Sequence, residues 1–236
     1  GDEIYDVTAW SLPLMFNVEA ATSALVSQGD FEAWSDENPP AGKVLPTAST
    51  VAYLVPWGTA AAGRFLTGAL RNNLSVIGLD KETVQDGRTY PRGTLVVRVA
   101  ENPENLAETL AKLAHDSGAE VVATPSGWVD AGINFGSGSA RVIPRANVAM
   151  LWDEPVSSSA AGAMRFVLER QFGYPVTIIR AATVARANLS RYDTLILPPA
   201  TASRYARALG PGGAEKLNRW VRDGGTLIGI GGALDC

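Results

Sequence analysis

Residues 51–71 read VAYLVPWGTAAAGRFLTGALR. The opening five, Val51-Ala52-Tyr53-Leu54-Val55, are an uninterrupted apolar run of the length expected for a buried strand. From Ala60 to Arg71 the chain predicts a helix. A strand with no polar face, followed at once by a helix, is the building unit of a layered α/β protein whose sheet is covered by helices. That single unit sets the expectation for the rest of the chain.

The alternation continues towards the C-terminus. Val76-Ile77-Gly78-Leu79 and Thr94-Leu95-Val96-Val97-Arg98-Val99 predict strands, the second introduced by the turn Tyr90-Pro91-Arg92-Gly93. Asn102 is placed to cap the next helix, Pro103 suits its first position, and Leu106, Leu110 and Leu113 recur at i, i+4 and i+7. Gly118 stops this helix, and Val121-Val122-Ala123 is a strand. The glycine-rich stretch Gly132 to Gly138 reads as a linker, leading through Arg141-Val142-Ile143-Pro144 into a second unit. Its predicted strands are residues 148–152, 176–179, 194–197 and 226–230, with helices near 160–172, 201–209 and 212–223. Leu217, Trp220 and Val221 share a face of the last helix, and Gly224-Gly225 end it.

These patterns predict an α/β fold of two flavodoxin- or Rossmann-like layered units with mainly parallel sheets. The expected divisions are an extended segment and linker over 1–50, a small α/β domain over 51–140 and a second α/β domain over 141–236. Val51-Ala52-x-Leu54 answers Val148-Ala149-x-Leu151, and Ala62-Gly63-Arg64-Phe65 answers Ala161-Gly162-Ala163-Met164-Arg165-Phe166. Either the units are a tandem pair of similar layers, or both follow the pattern common to all α/β units.

Towards the N-terminus, residues 1–20 are apolar and partly alternating, broken by Pro13, and read as an extended segment or edge strand. Residues 27–50, rich in Ser, Asp, Pro, Gly and Thr, read as a surface loop or linker. The formal net charge is −4 and the basic residues are scattered, so no concentrated basic face offers itself to nucleic acid. No stretch approaches the roughly 20 apolar residues of a membrane span. Cys236 is the only cysteine of the 236 residues, which excludes an internal disulfide.

Four segments together resemble the C-terminal region of bacterial zinc carboxypeptidases related to carboxypeptidase A. They are Tyr5-Asp6-Val7-Thr8-Ala9-Trp10-Ser11-Leu12-Pro13-Leu14, Gly87-Arg88-Thr89-Tyr90-Pro91-Arg92-Gly93-Thr94-Leu95-Val96-Val97, Arg191-Tyr192-Asp193-Thr194-Leu195-Ile196-Leu197-Pro198 and Trp220-Val221-Arg222-Asp223-Gly224-Gly225-Thr226-Leu227. The first is the most specific, resembling the stretch that follows the peptidase domain. The resemblance implies that such a domain precedes this chain, that residues 141–236 are similar to a class I glutamine amidotransferase-like domain incomplete at its C-terminus, and that the parent is a secreted or periplasmic bacterial protein. Catalysis in that family uses two His and one Glu on zinc, with a further Glu as base. His115 is the only histidine here, and it falls in the last turn of a predicted helix, where a histidine favourably meets the negative end of the helix dipole. No catalytic residue and no metal ligand is therefore expected in this chain, and zinc is expected only in the peptidase domain.

Glutamine amidotransferases carry a nucleophilic Cys at a tight strand-to-helix turn, as Gly-x-Cys-x-Gly. The matching turn is Gly229-Ile230-Gly231-Gly232-Ala233, with Gly231 in the nucleophile's place; Cys236 comes five residues later. Asp153 and Glu154 follow the first strand of the second unit, at the edge where open α/β sheets bind ligands. Ser157-Ser158-Ser159 precedes a helix, and serines cap helices routinely. Asp153, Glu154, Ser157, Gly231 and Gly232 are thus the candidate ligand-binding residues. Gly132 to Ser139 lacks the Lys-Ser/Thr ending of a phosphate-binding loop. Trp57, Trp128 and Trp152 lie near strand ends, where tryptophans either line a groove or pack. Val7, Trp10, Leu12 and Leu14 are expected to dock the chain on its parent's peptidase domain. The expected role is a non-catalytic accessory or interaction region; a peptide- or glycan-binding module is the alternative, and an amidase or hydrolase is disfavoured by the glycine at the elbow.

Overall fold

The computed structural model describes residues 41–235 and, before them, only residue 21 and the stretches 24–26 and 28–30. The expected edge strand in 1–20, the docking residues Val7, Trp10, Leu12 and Leu14, and Cys236 lie outside the described residues. The chain is mixed α/β and divides into two compact units, Gly1–Ile143 and Pro144–Cys236.

The first unit contains β1 (Lys43–Leu45), β2 (Ala52–Val55), α1 (Ala60–Arg71), β3 (Ile77–Leu79), β4 (Thr83–Gln85), β5 (Arg88–Tyr90), β6 (Leu95–Arg98), α2 (Leu106–Ser117), β7 (Glu120–Thr124), β8 (Ala131–Gly132) and β9 (Ala140–Val142). Six strands form one sheet in the order β1-β7-β2-β6-β3-β9. Apart from the parallel β1–β7 pair, every neighbouring pair is antiparallel. The expectation of a mainly parallel sheet is corrected here. Parallel neighbours need a crossover, usually a helix. Between β3 and β6 the chain carries a hairpin instead, β4 and β5 turning at Asp86-Gly87 with φ of 52° and 73°. The chain therefore returns reversed, and β6 inserts between β2 and β3. The resulting β2-α1-β3-β6-α2-β7 path is a split β-α-β arrangement.

The physical reason lies in β6. Leu95 and Val97 belong to the core under the helices, whereas Val96 belongs to a second core with Leu54, Ile77, Tyr90 and Phe135. A strand buried on both faces looks the same in sequence whichever way its neighbours run. The helical layer meets the first face through Phe65 and Leu70 of α1 and Leu106, Leu110 and Ala114 of α2. Thr59 caps α1, its Oγ1 accepting from the Ala62 N–H at 3.2 Å. Gly118, left-handed at φ 78°, ends α2 as expected. Asn102, the expected cap of α2, does not cap it; Asn105 holds that position. Asn102 instead donates to the Ser75 and Arg98 carbonyls and accepts from the Ser75 N–H.

Two supposed linkers are structured. Lys43–Leu45, within the expected loop 27–50, is the strand β1 alongside β7. In the glycine-rich stretch, Gly132 lies in β8 against Thr83, Phe135 is 4% exposed, and β9 pairs with β3. A Cβ at Gly132, whose φ is 93°, would stand 2.6 Å from the Glu82 carbonyl oxygen, so glycine here serves close backbone approach rather than flexibility.

The second unit contains β10 (Val148–Trp152), α3 (Ser158–Phe166), β11 (Val176–Arg180), β12 (Thr194–Leu197), α4 (Ala202–Arg222) and β13 (Thr226–Gly229). Its sheet, in the order β11-β10-β12-β13, is parallel throughout. Ala149, Leu151, Leu195 and Leu197 pack with Tyr205, Leu217 and Trp220 of α4 in one cluster. Met150, Val176 and Ile196 form another with Met164 of α3 and Leu168 of the π-helical turn that follows it. Helices thus cover both faces. The two helices expected over 201–209 and 212–223 are both present within α4, separated by a break at Gly210, where φ is 61° and ψ 176°. Because one unit is largely antiparallel and the other wholly parallel, the shared short patterns reflect common strand–helix pattern and not a tandem pair of like layers.

Candidate functional site

In a parallel sheet, strand order reverses where successive crossovers leave in opposite directions, and ligands bind in the crevice at the carboxyl ends there. In the second unit the reversal falls between β10 and β12. β10 ends at Trp152, and the chain then enters a loop with Asp153 left-handed at φ 69°. The Val156 N–H donates to the Asp153 carbonyl at 2.9 Å and closes this loop. Non-glycine residues adopt a positive φ uncommonly, Asp and Asn more readily than most. The loop delivers the chain to α3, with Ser157 at the cap position. Ser157 does not cap through its side chain; its Oγ lies 3.2 Å from the Ser159 hydroxyl, and its N–H donates to the Pro199 carbonyl.

A cleft of about 250 Å³ opens beside this loop, lined by Trp152, Asp153, Glu154, Val156, Ser158 and Ala161. Two arginines flank it. Arg180, the last residue of β11, places Nε 3.7 Å from an Asp153 carboxylate oxygen, and Arg204, in the first turn of α4, places Nη2 3.0 Å from one of Glu154. All four side chains are more than half exposed, so water screens both pairs and each stabilises the fold little. The charged groups stay available to a ligand. Arg165 lies 6.0 Å above the Trp152 ring and holds a third positive charge against the aromatic wall.

The structure brings Asp153 and Glu154 together in this cleft. Ser157 sits beside it without lining it, its neighbour Ser158 doing so. Gly231 and Gly232 do not line it; they lie at the end of β13, against the loop that follows β12. A Cβ on Gly231 would meet Pro199 at 3.7 Å, and one on Gly232 the Ala200 carbonyl oxygen at 2.9 Å. Gly231 opens the 3-10 turn Gly231–Asp235 with φ 60°. Arg180 and Arg204 were not singled out from the sequence. Arg180 could have been found, since it directly follows a predicted strand at the same sheet edge as Asp153. Arg204 could not, because only the packing of α4 brings it to Glu154.

Of the tryptophans, Trp152 joins the cleft, Trp57 packs on Gly93, and Trp128 stands 80% exposed. His115 occupies the last turn of α2, its Nδ1 3.2 Å from Asp116. The first unit carries its own hollow of about 370 Å³ between the start of α1 and the start of β7, lined by Val55, Thr59, Ala62 and the Arg88–Glu120 ion pair of 2.6 Å. Among the described residues, no three His, Cys, Asp or Glu side chains are grouped to hold a metal ion, and no helix is long and apolar enough to cross a membrane.

No protein-family model matches the chain, and neither a curated protein nor a solved structure does.

Proposed function

We propose that this chain is a non-catalytic accessory region of a zinc carboxypeptidase-like protein, and that its second unit is a class I glutamine amidotransferase-like domain without the amidotransferase's chemistry. The observation that carries the reading is Gly231. It follows the fourth parallel strand of the sheet at a left-handed turn; on this reading it stands where an amidotransferase carries its nucleophile, and it offers no side chain to attack a carbonyl. Two further features support it. The strand order of the second unit, counted along the chain as 2-1-3-4, is that of the first four strands of flavodoxin-like sheets. The four segments that resemble the carboxypeptidases' C-terminal region also run in that family's order. On this reading the active zinc belongs to a peptidase domain, and the role of the present chain is to bind or position.

The cleft at the β10 edge favours a second reading, a binding module for a peptide or glycan, because an aromatic wall and opposed charges there suit a polar ligand. One set of assays on the purified chain separates the readings. Ammonia release from glutamine and release of C-terminal amino acids from peptides, with and without added zinc, are both expected to stay at the buffer rate. Activity in either assay overturns the non-catalytic reading. Saturable heat on titration with peptides or oligosaccharides, lost in Glu154→Ala, moves the conclusion to the binding module.

A further inference from the structure

We draw no further inference here: the strongest candidate, the outer edge of the second unit's sheet at β13, where Leu227 and Ile228 stand 40% and 42% exposed, carries nothing because nothing in the structure shows what covers it.

Discussion

Asn102 shows how one side chain can take a role that its sequence position does not announce. Its amide nitrogen donates to the Ser75 carbonyl at 3.1 Å and the Arg98 carbonyl at 2.8 Å, while its oxygen accepts from the Ser75 N–H at 2.8 Å. These three bonds tie the approach to β3 to the end of β6. Asn102→Ala leaves partly buried backbone groups without those partners, and the expected loss is about 1–3 kcal/mol of unfolding free energy. Urea unfolding measures it, and an unchanged midpoint would mean that water replaces all three bonds. Tyr90 makes a second case. It is 2% exposed, and burial pushes its phenol above the usual value, with the Arg88 charge opposing. The raised value means that the folded state keeps the proton longer than the unfolded chain. Its contribution is complete below the unfolded pKa of about 10 and is lost as pH rises through the folded pKa. Wild type should therefore lose stability relative to Tyr90→Phe as pH climbs above about 10. A stability difference that stays flat across that range would refute the assignment.

Element boundaries follow backbone chemistry more than side-chain periodicity. Gly210 divides α4 into a part anchored by Tyr205, whose hydroxyl donates to the Pro198 carbonyl at 2.6 Å, and a part anchored by Leu217 and Trp220. Its φ of 61° and ψ of 176° fall in a region open essentially to glycine alone, and a Cβ there would meet nothing within 4 Å. Any penalty for Gly210→Ala is therefore backbone strain, expected at about 1–3 kcal/mol. Gly212, two residues on, has no positive φ, and its Cβ would sit 3.8 Å from that of Ala185, an ordinary contact. Gly212→Ala should be neutral or slightly stabilising, because alanine is the better helix former. Thermal melts of the two variants should move apart, and equal shifts would show that the break at Gly210 is not needed.

At the scale of the molecule, the apolar clusters keep to their own units. Among the described residues, those around Phe65 and Leu54 draw on residues up to Ile143, and those around Leu195 and Met150 on residues from Val148 onward. Leu110 is fully buried against the first sheet, and Leu110→Ala should cost about 2–5 kcal/mol through lost burial and the cavity left behind. Hydrogen exchange read by mass spectrometry should quicken across β2, β6 and β7 while β10 and β12 keep their wild-type rates. Parallel acceleration in β10 and β12 would show that the two units unfold as one.

Local sequence alone marks where most strands and helices lie. Apolar runs at 52–55, 95–97, 148–152 and 195–197 admit no exposed setting, and the Leu106, Leu110 and Leu113 stripe with Gly118 marks α2 through local forces. It is equally plain from the residues that Gly231 brings no nucleophile to its turn. The order and direction of the strands, by contrast, are settled by tertiary packing. β6 is buried on both faces whether its neighbours run parallel or antiparallel, so its composition carries no direction. The choice rests on the hairpin at Asp86-Gly87 returning the chain between β2 and β3. The same holds at the candidate site. Asp153 and Glu154 could be placed at a strand end from local pattern, but their arginine neighbours are 27 and 50 residues away along the chain, at Arg180 and Arg204, and meet them only once the sheet and α4 have packed.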